Sequence, residues 1–564
     1  MKLIRLIKIN KPTSRRIVLL LLAFLVYLIL SLIYFGPSSI NKLNSYIFNN
    51  SSDPQQFIWY YGWWPYAITH HLNPFISKYV WFPKGYNVAW STSIPTLSLL
   101  MLPVTLFGNA ILSYNLVALL SPVLAATAMF ALVYYLTKKY WAAVLSGYIY
   151  GFSSFMLGQL LGHPQQYAIF LLPMIVLLYI LLLKTKIKPL YFVIFTSLLL
   201  VLQTGISLEI TMTFMLFGAL FWILSYYLTE YRLNLKASFK YIIYTLLTYV
   251  ILLSPFIFYL LKGLHNLPKT IHPLIPFSLN VANLFIPTPL TLIGGSQLTN
   301  LTHFFIGNMA ENGAYLGLVL LLLLLFIAIK YWQYGIYRVL TLCLILIGIA
   351  SLGPRLHLLG QTGASIWMPW ALMAKIPLIR DAQPDRFALY FFFLTAITVG
   401  LWLAIRPKSR RHSQIKYLVV TIGILLLIPN VSVYSWTKTN LPTIFQKQNF
   451  NRYLGAKPNI LILPFDSSGI YYQYATGMSF TQATGYVGFI PKNYAISPVI
   501  SAFKTGNIPN NFNALFSKFV KSNKISKIII FIPQTQTSII NAIHDLHWQE
   551  RQVGNSILVI PKND

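Results

Sequence analysis

The chain has 564 residues, of which 56% are hydrophobic and only 9% charged, where soluble domains carry roughly 25% charged residues. That composition excludes a water-soluble surface. The net charge of +32, from 42 Lys plus Arg against 10 Asp plus Glu, is spread over short loops between apolar runs, which is the positive-inside pattern and not a nucleic-acid groove.

In chain order, Lys2, Arg5, Lys8, Lys11, Arg15 and Arg16 precede the apolar run 17–35, "IVLLLLAFLVYLILSLIYF". The run is long enough to cross a bilayer and lacks a small-residue cleavage signal, so it reads as an uncleaved anchor with a cytoplasmic N-terminus. A large first outer loop, 37–110, follows with only Lys42, Lys78 and Lys84. Within it, "SSDPQQFIWYYGWWPYAITHHLNPF" (51–75) sets Asp53 at the head of an aromatic stretch. The later segment "SIPTLSLLMLPVTLFG" (93–108) is apolar but short, with two prolines. A crossing there would put Lys138 and Lys139 outside, so it is expected to dip or lie in the interface.

Further spans are expected near 111–137, 140–157, 166–183, 190–206, 210–228, 241–260, 314–330, 338–352, 387–405 and 417–434. Lys184, Lys186 and Lys188, then Arg232, Lys236 and Lys240, then Lys330 and Arg338, and then Arg406, Lys408, Arg410, Arg411 and Lys416 fall in inner loops, giving eleven spans with the C-terminus outside. Cys343 is the single cysteine and lies in an apolar run, so no intrachain disulfide forms. From about 435 the composition changes. The runs "NILILPF" (459–465), "KIIIFIP" (527–533) and "SILVIP" (556–561) alternate with helix-compatible segments, the pattern of a small α/β domain. The expected organisation is an α-helical polytopic membrane domain, 1–434, and an extracytoplasmic α/β domain, 435–564.

On this topology Glu230 lies in an inner loop, and Asp466, Asp545, Glu550 and Asp564 belong to the terminal domain. The remaining acids, Asp53, Glu209, Glu311, Asp381 and Asp385, all fall at the outer face on four separate segments. A carboxylate in apolar sequence costs roughly 2.5–3.5 kcal/mol on insertion scales, so each needs a reason. The same face collects His70, His71, His163, Arg355, Arg380 and Arg386. These residues predict an outward-facing cavity with an aromatic rim, suited to a substrate with a lipid tail and a charged, hydroxylated head.

The order of motifs resembles that of the GT-C superfamily of membrane glycosyltransferases, in which an acid follows the first span and interfacial helices come next. Here Asp53 is followed by "WWPYAITHHLNPF", then "WFPKGYNVAW" (81–90), then the proline-bearing dip. A nearer resemblance is to poorly characterised bacterial GT-C-like proteins, including YfhO-like ones. It is carried by "YGFSSFMLGQLLGHPQQ" (150–166), "ENGAYLG" (311–317) and "QPDRFALYF" (383–391), with weaker echoes in "ILILPF" and "ATGYVG" (483–488).

The resemblance implies inverting transfer of a sugar from a polyprenyl-phosphate donor to a glycan, lipid or protein acceptor at the outer face of the cell membrane. It makes Asp53 the base. Trp63, Trp64 and His71 would line the sugar and prenyl chain, with His163, Glu209 and Glu311 also at the substrate. Arg386, Arg380 and Arg355 would meet the phosphate. Asp53 lacks the neighbouring acid of a DxD or DE motif, so no metal ligands are expected, while a divalent cation such as Mg or Mn stays open.

Plainer readings also stay open. The aromatic run can be an interfacial belt, and Asp53 followed by Pro54 can cap a helix. His163 can be a satisfied loop histidine, and Glu209 and Glu311 can pair with arginines. Arg380 with Asp381, and Asp385 with Arg386, can be surface ion pairs worth at most about 1 kcal/mol. At the level of the whole protein, a lipid or glycan transporter or flippase is the alternative, expected to show broken helices and an inverted repeat. A non-catalytic accessory membrane protein is the third.

Overall fold

The computed structural model describes residues 12–50, 52–267, 274–359, 366–373, 375–376 and 379–562. The basic residues Lys2, Arg5, Lys8 and Lys11, and the acid Asp564, lie outside the described residues. The apolar runs fold as helices, since a backbone in hydrocarbon must satisfy its own hydrogen bonds. Seven described helices are long and apolar enough to cross a membrane: Arg15–Phe35, Ala110–Thr137, Pro164–Leu183, Pro189–Ile206, Leu208–Leu228, Arg232–Asn266 and Pro384–Ala404.

The other four expected spans coincide with shorter helices, Tyr140–Gly151, Leu318–Lys330, Gly335–Ser351 and Arg410–Leu425. Local chemistry sets their ends. Ser153 accepts from the Met156 amide and opens a separate helix, Ser154–Gln159, which ends the expected 140–157 run early. Gly317, at φ +81°, delays the start of the next helix to Leu318. Ser409 caps the last one by accepting from the His412 amide, so it begins at Arg410, ahead of its expected start.

By its internal contacts the chain forms two compact units. The first comprises Met1–Ser38, Leu116–Leu252 and His272–Ser435. At its centre the helix Ala388–Ala404 is buried along nearly its whole length and packs against Tyr140–Gly151 and Gly335–Ser351. The approach is close at Gly400, where a Cβ would meet Ser146 Oγ at 2.5 Å, the small-residue contact that membrane helices favour. Buried polar groups tie the helices together: Tyr27 Oη donates to Val144 O at 2.8 Å and Ser31 Oγ to Leu119 O at 2.7 Å. Lys416 Nζ donates to the carbonyls of Trp402 and Ile405, satisfying the end of the central helix. Outward-facing apolar side chains such as Ile33, Ile251 and Ile329 are exposed, as a lipid-facing surface requires.

The second unit comprises Ser39–Asn115, Leu253–Ile271 and Trp436–Asp564. The expected dip is two short helices, Pro95–Leu100 and Leu102–Phe107, each with proline in its first turn. A five-stranded sheet has the spatial order Thr481–Gln482, Asn459–Leu463, Lys527–Phe531, Ser556–Ile560, Gln549–Val553. The first three strands are parallel and the last two antiparallel. Asn459–Leu463 is buried at every position, as a parallel strand covered on both faces should be. The core beneath it includes Phe445, Phe450, Ile462, Phe480, Ile529 and Leu558.

The segment 79–82 is joined to this sheet. Gln482 N donates to Tyr79 O at 2.8 Å, and Phe82 N donates back to Gln482 O at 2.9 Å. Residues 39–115 and 436–564 therefore share one body, a grouping that the division at 434/435 does not make.

Candidate functional site

The residues proposed from sequence fall in both units, and each group has its own geometry. In the first unit, Arg386 stands in the 3-10 turn Pro384–Phe387 that leads into the central helix. Its Nη1 donates to Glu209 Oε2 at 2.7 Å, its Nη2 to Glu311 Oε1 at 2.5 Å and its Nε to Glu311 Oε2 at 3.1 Å. Glu209 lies in the first turn of Leu208–Leu228, where the helix N-terminus favours a carboxylate. Glu311 comes from the loop before Leu318–Lys330. All three charges are held away from solvent, with side-chain exposures of 13% for Arg386, 20% for Glu209 and 3% for Glu311.

Amides complete the shell. Gln159 Nε2 donates to Glu311 Oε2 at 3.0 Å, Gln166 Nε2 to Glu209 Oε2 at 2.7 Å, and the Gln383 backbone N–H to Glu209 Oε1 at 2.8 Å. His163 Nδ1 lies 2.8 Å from Gln159 Oε1 and 3.8 Å from Glu311 Oε1. Burial alone would raise the Glu311 carboxyl. The charge and hydrogen bonds of Arg386 outweigh it and hold the group at about 2.

Two expectations are corrected here. Arg386 and Asp385 are not a surface pair: Asp385 is buried, and Arg386 turns to carboxylates 75 and 177 positions away in sequence. With its nitrogens already on two carboxylates, Arg386 is also poorly disposed to take a phosphate. Arg380, which is exposed, does pair with the half-buried Asp381 at 3.4 Å, and Arg355 is exposed. The glutamines were missed as participants. Their one signal was spacing, since Gln159 and His163 stand four apart across the turn that precedes "PQQ".

In the second unit, Asp53 lies half-buried in the first turn of the helix Ser52–Thr69, the helix that follows the first apolar helix in chain order. Its negative charge reaches Tyr486, whose hydroxyl is pushed up first by burial and then by that carboxylate. Tyr486 Oη donates to Gly488 O at 2.8 Å. Trp63 and Trp64 are corrected from rim to core, being 1% and 3% exposed. The Trp63 indole stacks on Trp59 at 5.4 Å and donates to Pro74 O, while Trp64 meets Phe75 edge-on and donates to Ser93 O. An indole that has buried its ring and used its N–H has no face left for a sugar. His71 is exposed just past the helix end.

Among the described residues no group of three or more His, Cys, Asp or Glu is placed to hold a metal ion. Asp53 is the one acid of residues 37–110.

Solved structures of an oligosaccharyltransferase and an arabinofuranosyltransferase share this fold. The chain resembles the oligosaccharyltransferase AglB of Archaeoglobus fulgidus, solved in complex with an inhibitory peptide and a dolichol-phosphate, with 12% identity and a TM-score of 0.52 over 91% of this chain and 69% of that one. The same protein in complex with Zn and sulfate gives 0.54 at 12% identity, over 91% and 68%. The arabinofuranosyltransferase AftD from Mycobacteria also gives 0.54 at 12% identity, covering 97% of this chain but only 42% of that longer one. The chain belongs to the DUF6311 family, a domain of unknown function whose profile matches residues 24–428. No curated protein matches it.

Proposed function

We propose that the protein is a GT-C-type glycosyltransferase of the cell membrane that takes a sugar from a polyprenyl-phosphate donor and passes it to a cell-envelope acceptor. The observation that carries this reading is the likeness over 91% of the chain to an oligosaccharyltransferase solved with dolichol-phosphate. Asp53, in the first turn of the helix after the first apolar one, supports it. We further propose kinship with YfhO-like proteins, a cytoplasmic N-terminus, eleven crossings and an extracytoplasmic segment 435–564.

In the proposed reaction an acceptor hydroxyl attacks the anomeric carbon from the side opposite the phosphate. The new bond joins the acceptor oxygen to that carbon, the carbon–oxygen bond to phosphate breaks, and the electron pair leaves with the prenyl phosphate. The acceptor proton goes to the Asp53 carboxylate, and the anomeric centre inverts. Arg355 and Arg380 are the proposed phosphate contacts. Arg386, Glu209, Glu311 and His163 serve as the scaffold of the first unit.

The test is cell-envelope glycan composition by mass spectrometry in wild type, deletion and Asp53→Asn strains at equal abundance. Loss of a sugar modification in the deletion, unrestored by the Asn variant, supports the reading. Full restoration by the Asn variant removes Asp53 as the base and favours transport or an accessory role. Adding Mg2+ or Mn2+ to membranes in vitro tests the cation that the lone acid left open.

A further inference from the structure

From Trp436 to Asp564 the chain carries twelve Lys or Arg and four Asp or Glu. Three of the lysines converge. Lys457, Lys524 and Lys527 line one cavity of about 540 Å3 at the edge where the strands Asn459–Leu463 and Lys527–Phe531 begin. No carboxylate lines it, and among the described residues none of the three lysines has an ion pair. Lys457 and Lys524 are exposed and Lys527 is half-buried, and three positive charges with no carboxylate in the lining attract an anion.

The floor is rigid and polar. Asn459 Nδ2 donates to the carbonyls of Asn523 and Lys524 at 2.7 and 3.0 Å, and its Oδ1 accepts from Thr481 Oγ1 at 3.1 Å. Ser526 Oγ donates to Asn459 O at 3.0 Å and accepts from Asn459 N at 3.1 Å. The half-buried ring of Phe82 forms part of the wall. Cations beside a polar lining are groups that recognise a charged sugar.

We propose that this cavity binds a sugar bearing a phosphate or carboxylate, the anionic repeat of the acceptor glycan; the acceptor role rests on the function proposed above. A membrane headgroup offers the same charge. A lipid surface, however, is met by exposed apolar side chains, and the large apolar residues lining this cavity, Phe82 and Leu454, are half-buried and buried.

The test uses the full chain in phosphatidylcholine nanodiscs and fluorescence anisotropy of labelled hexagalacturonate and labelled glycerol phosphate oligomer, with labelled maltohexaose as the neutral probe. The triple variant Lys457→Gln, Lys524→Gln, Lys527→Gln is expected to weaken binding of at least one anionic oligomer tenfold or more. The triple Arg variant is expected to restore it. Changing Lys504, Lys518 and Lys521 to Gln, an equal charge loss outside the cavity, is expected to change binding less than twofold. Equal weakening by both triple Gln variants, or equal binding of maltohexaose, overturns the proposal. So does lysine-dependent capture of phosphatidylglycerol vesicles with neither oligomer bound, which would identify a headgroup site.

Failure of the two readings is distinguishable. If the deletion strain loses an envelope sugar while the triple Gln variant binds and transfers normally, only the cavity assignment falls. If lysine-dependent binding stands while the deletion leaves the envelope unchanged, only the transferase reading falls.

Discussion

Arg386 grips Glu311 with two prongs, Nη2 to Oε1 at 2.5 Å and Nε to Oε2 at 3.1 Å, while Nη1 reaches Glu209. One largely buried cation thus serves a buried carboxylate, Glu311, and a partly buried one, Glu209. Removing it leaves both negative and facing each other, and the cost of breaking such a buried pair is about 3–5 kcal/mol. Arg386→Met is expected to lower the melting temperature in detergent and the abundance in membranes far more than Arg380→Met, whose side chain is exposed. Equal effects from the two would show that the buried cluster is not what holds this part of the first unit.

The same pair sets a pH dependence. The Glu311 carboxyl titrates at about 2 in the folded chain, against 4.5 ordinarily. A depressed folded value adds stability that is complete above the unfolded value and is lost as pH falls from there towards 2. The melting temperature of the wild type should therefore drop by several degrees between pH 5 and pH 3. The Glu311→Gln variant should start lower and show a shallower drop. A wild-type profile as flat as the variant's would contradict the assignment.

Asp53 has two possible jobs at one helix end, and substitution separates them. Asp53 lies inside the first turn of Ser52–Thr69 and not ahead of it, so asparagine gives up only the roughly 0.3–1 kcal/mol that a carboxylate gains from the helix N-terminus, but it cannot take a proton. Asp53→Asn is expected to keep abundance and nearly keep the melting temperature while lowering transfer by a factor of about 10² to 10⁴, the usual worth of a general base. Measuring transfer and melting temperature on one preparation decides between base and helix-end charge.

Gln473 ties the aromatic helix to the terminal sheet. It is fully buried, donates to Tyr79 O and Phe480 O at 2.8 Å each, and accepts from Trp59 Nε1 at 2.9 Å. Gln473→Leu would strand the Trp59 indole N–H and the Phe480 carbonyl, while Tyr79 O keeps its bond from Gln482 N, at about 1–3 kcal/mol for each unsatisfied group. Limited proteolysis should then cut within the second unit at rates well above wild type. Unchanged cleavage would mean that water takes over these bonds.

Gly158 supports the loop that carries Glu311. A Cβ there would sit 2.3 Å from the Ala310 carbonyl oxygen, and backbone cannot swing aside as a side-chain tip can. Gly158→Ala is expected to cost about 1–3 kcal/mol by overpacking, read as a lower melting temperature. An unshifted melting temperature would mean that the loop moves freely.

The sequence alone determined that this is a helical membrane protein, because a backbone in lipid must close its own hydrogen bonds and long apolar runs have no other outcome. It also located the later strands: "NILIL", "KIIIF" and "SILVI" became Asn459–Leu463, Lys527–Phe531 and Ser556–Ile560. Acids out of place in apolar sequence marked Glu209 and Glu311 as residues with partners. Tertiary structure decided who those partners are, since Arg386 lies 75 and 177 positions from the carboxylates it joins and no periodicity carries information over that distance. It also sent Trp63 and Trp64 inward, because an indole serves a belt, a cradle or a core equally well until its neighbours are in place. Lys457, Lys524 and Lys527 were three ordinary lysines in sequence. Pairing Ile460 with Lys527 across a parallel ladder brought them to one cavity, and only long-range pairing of the chain could do that.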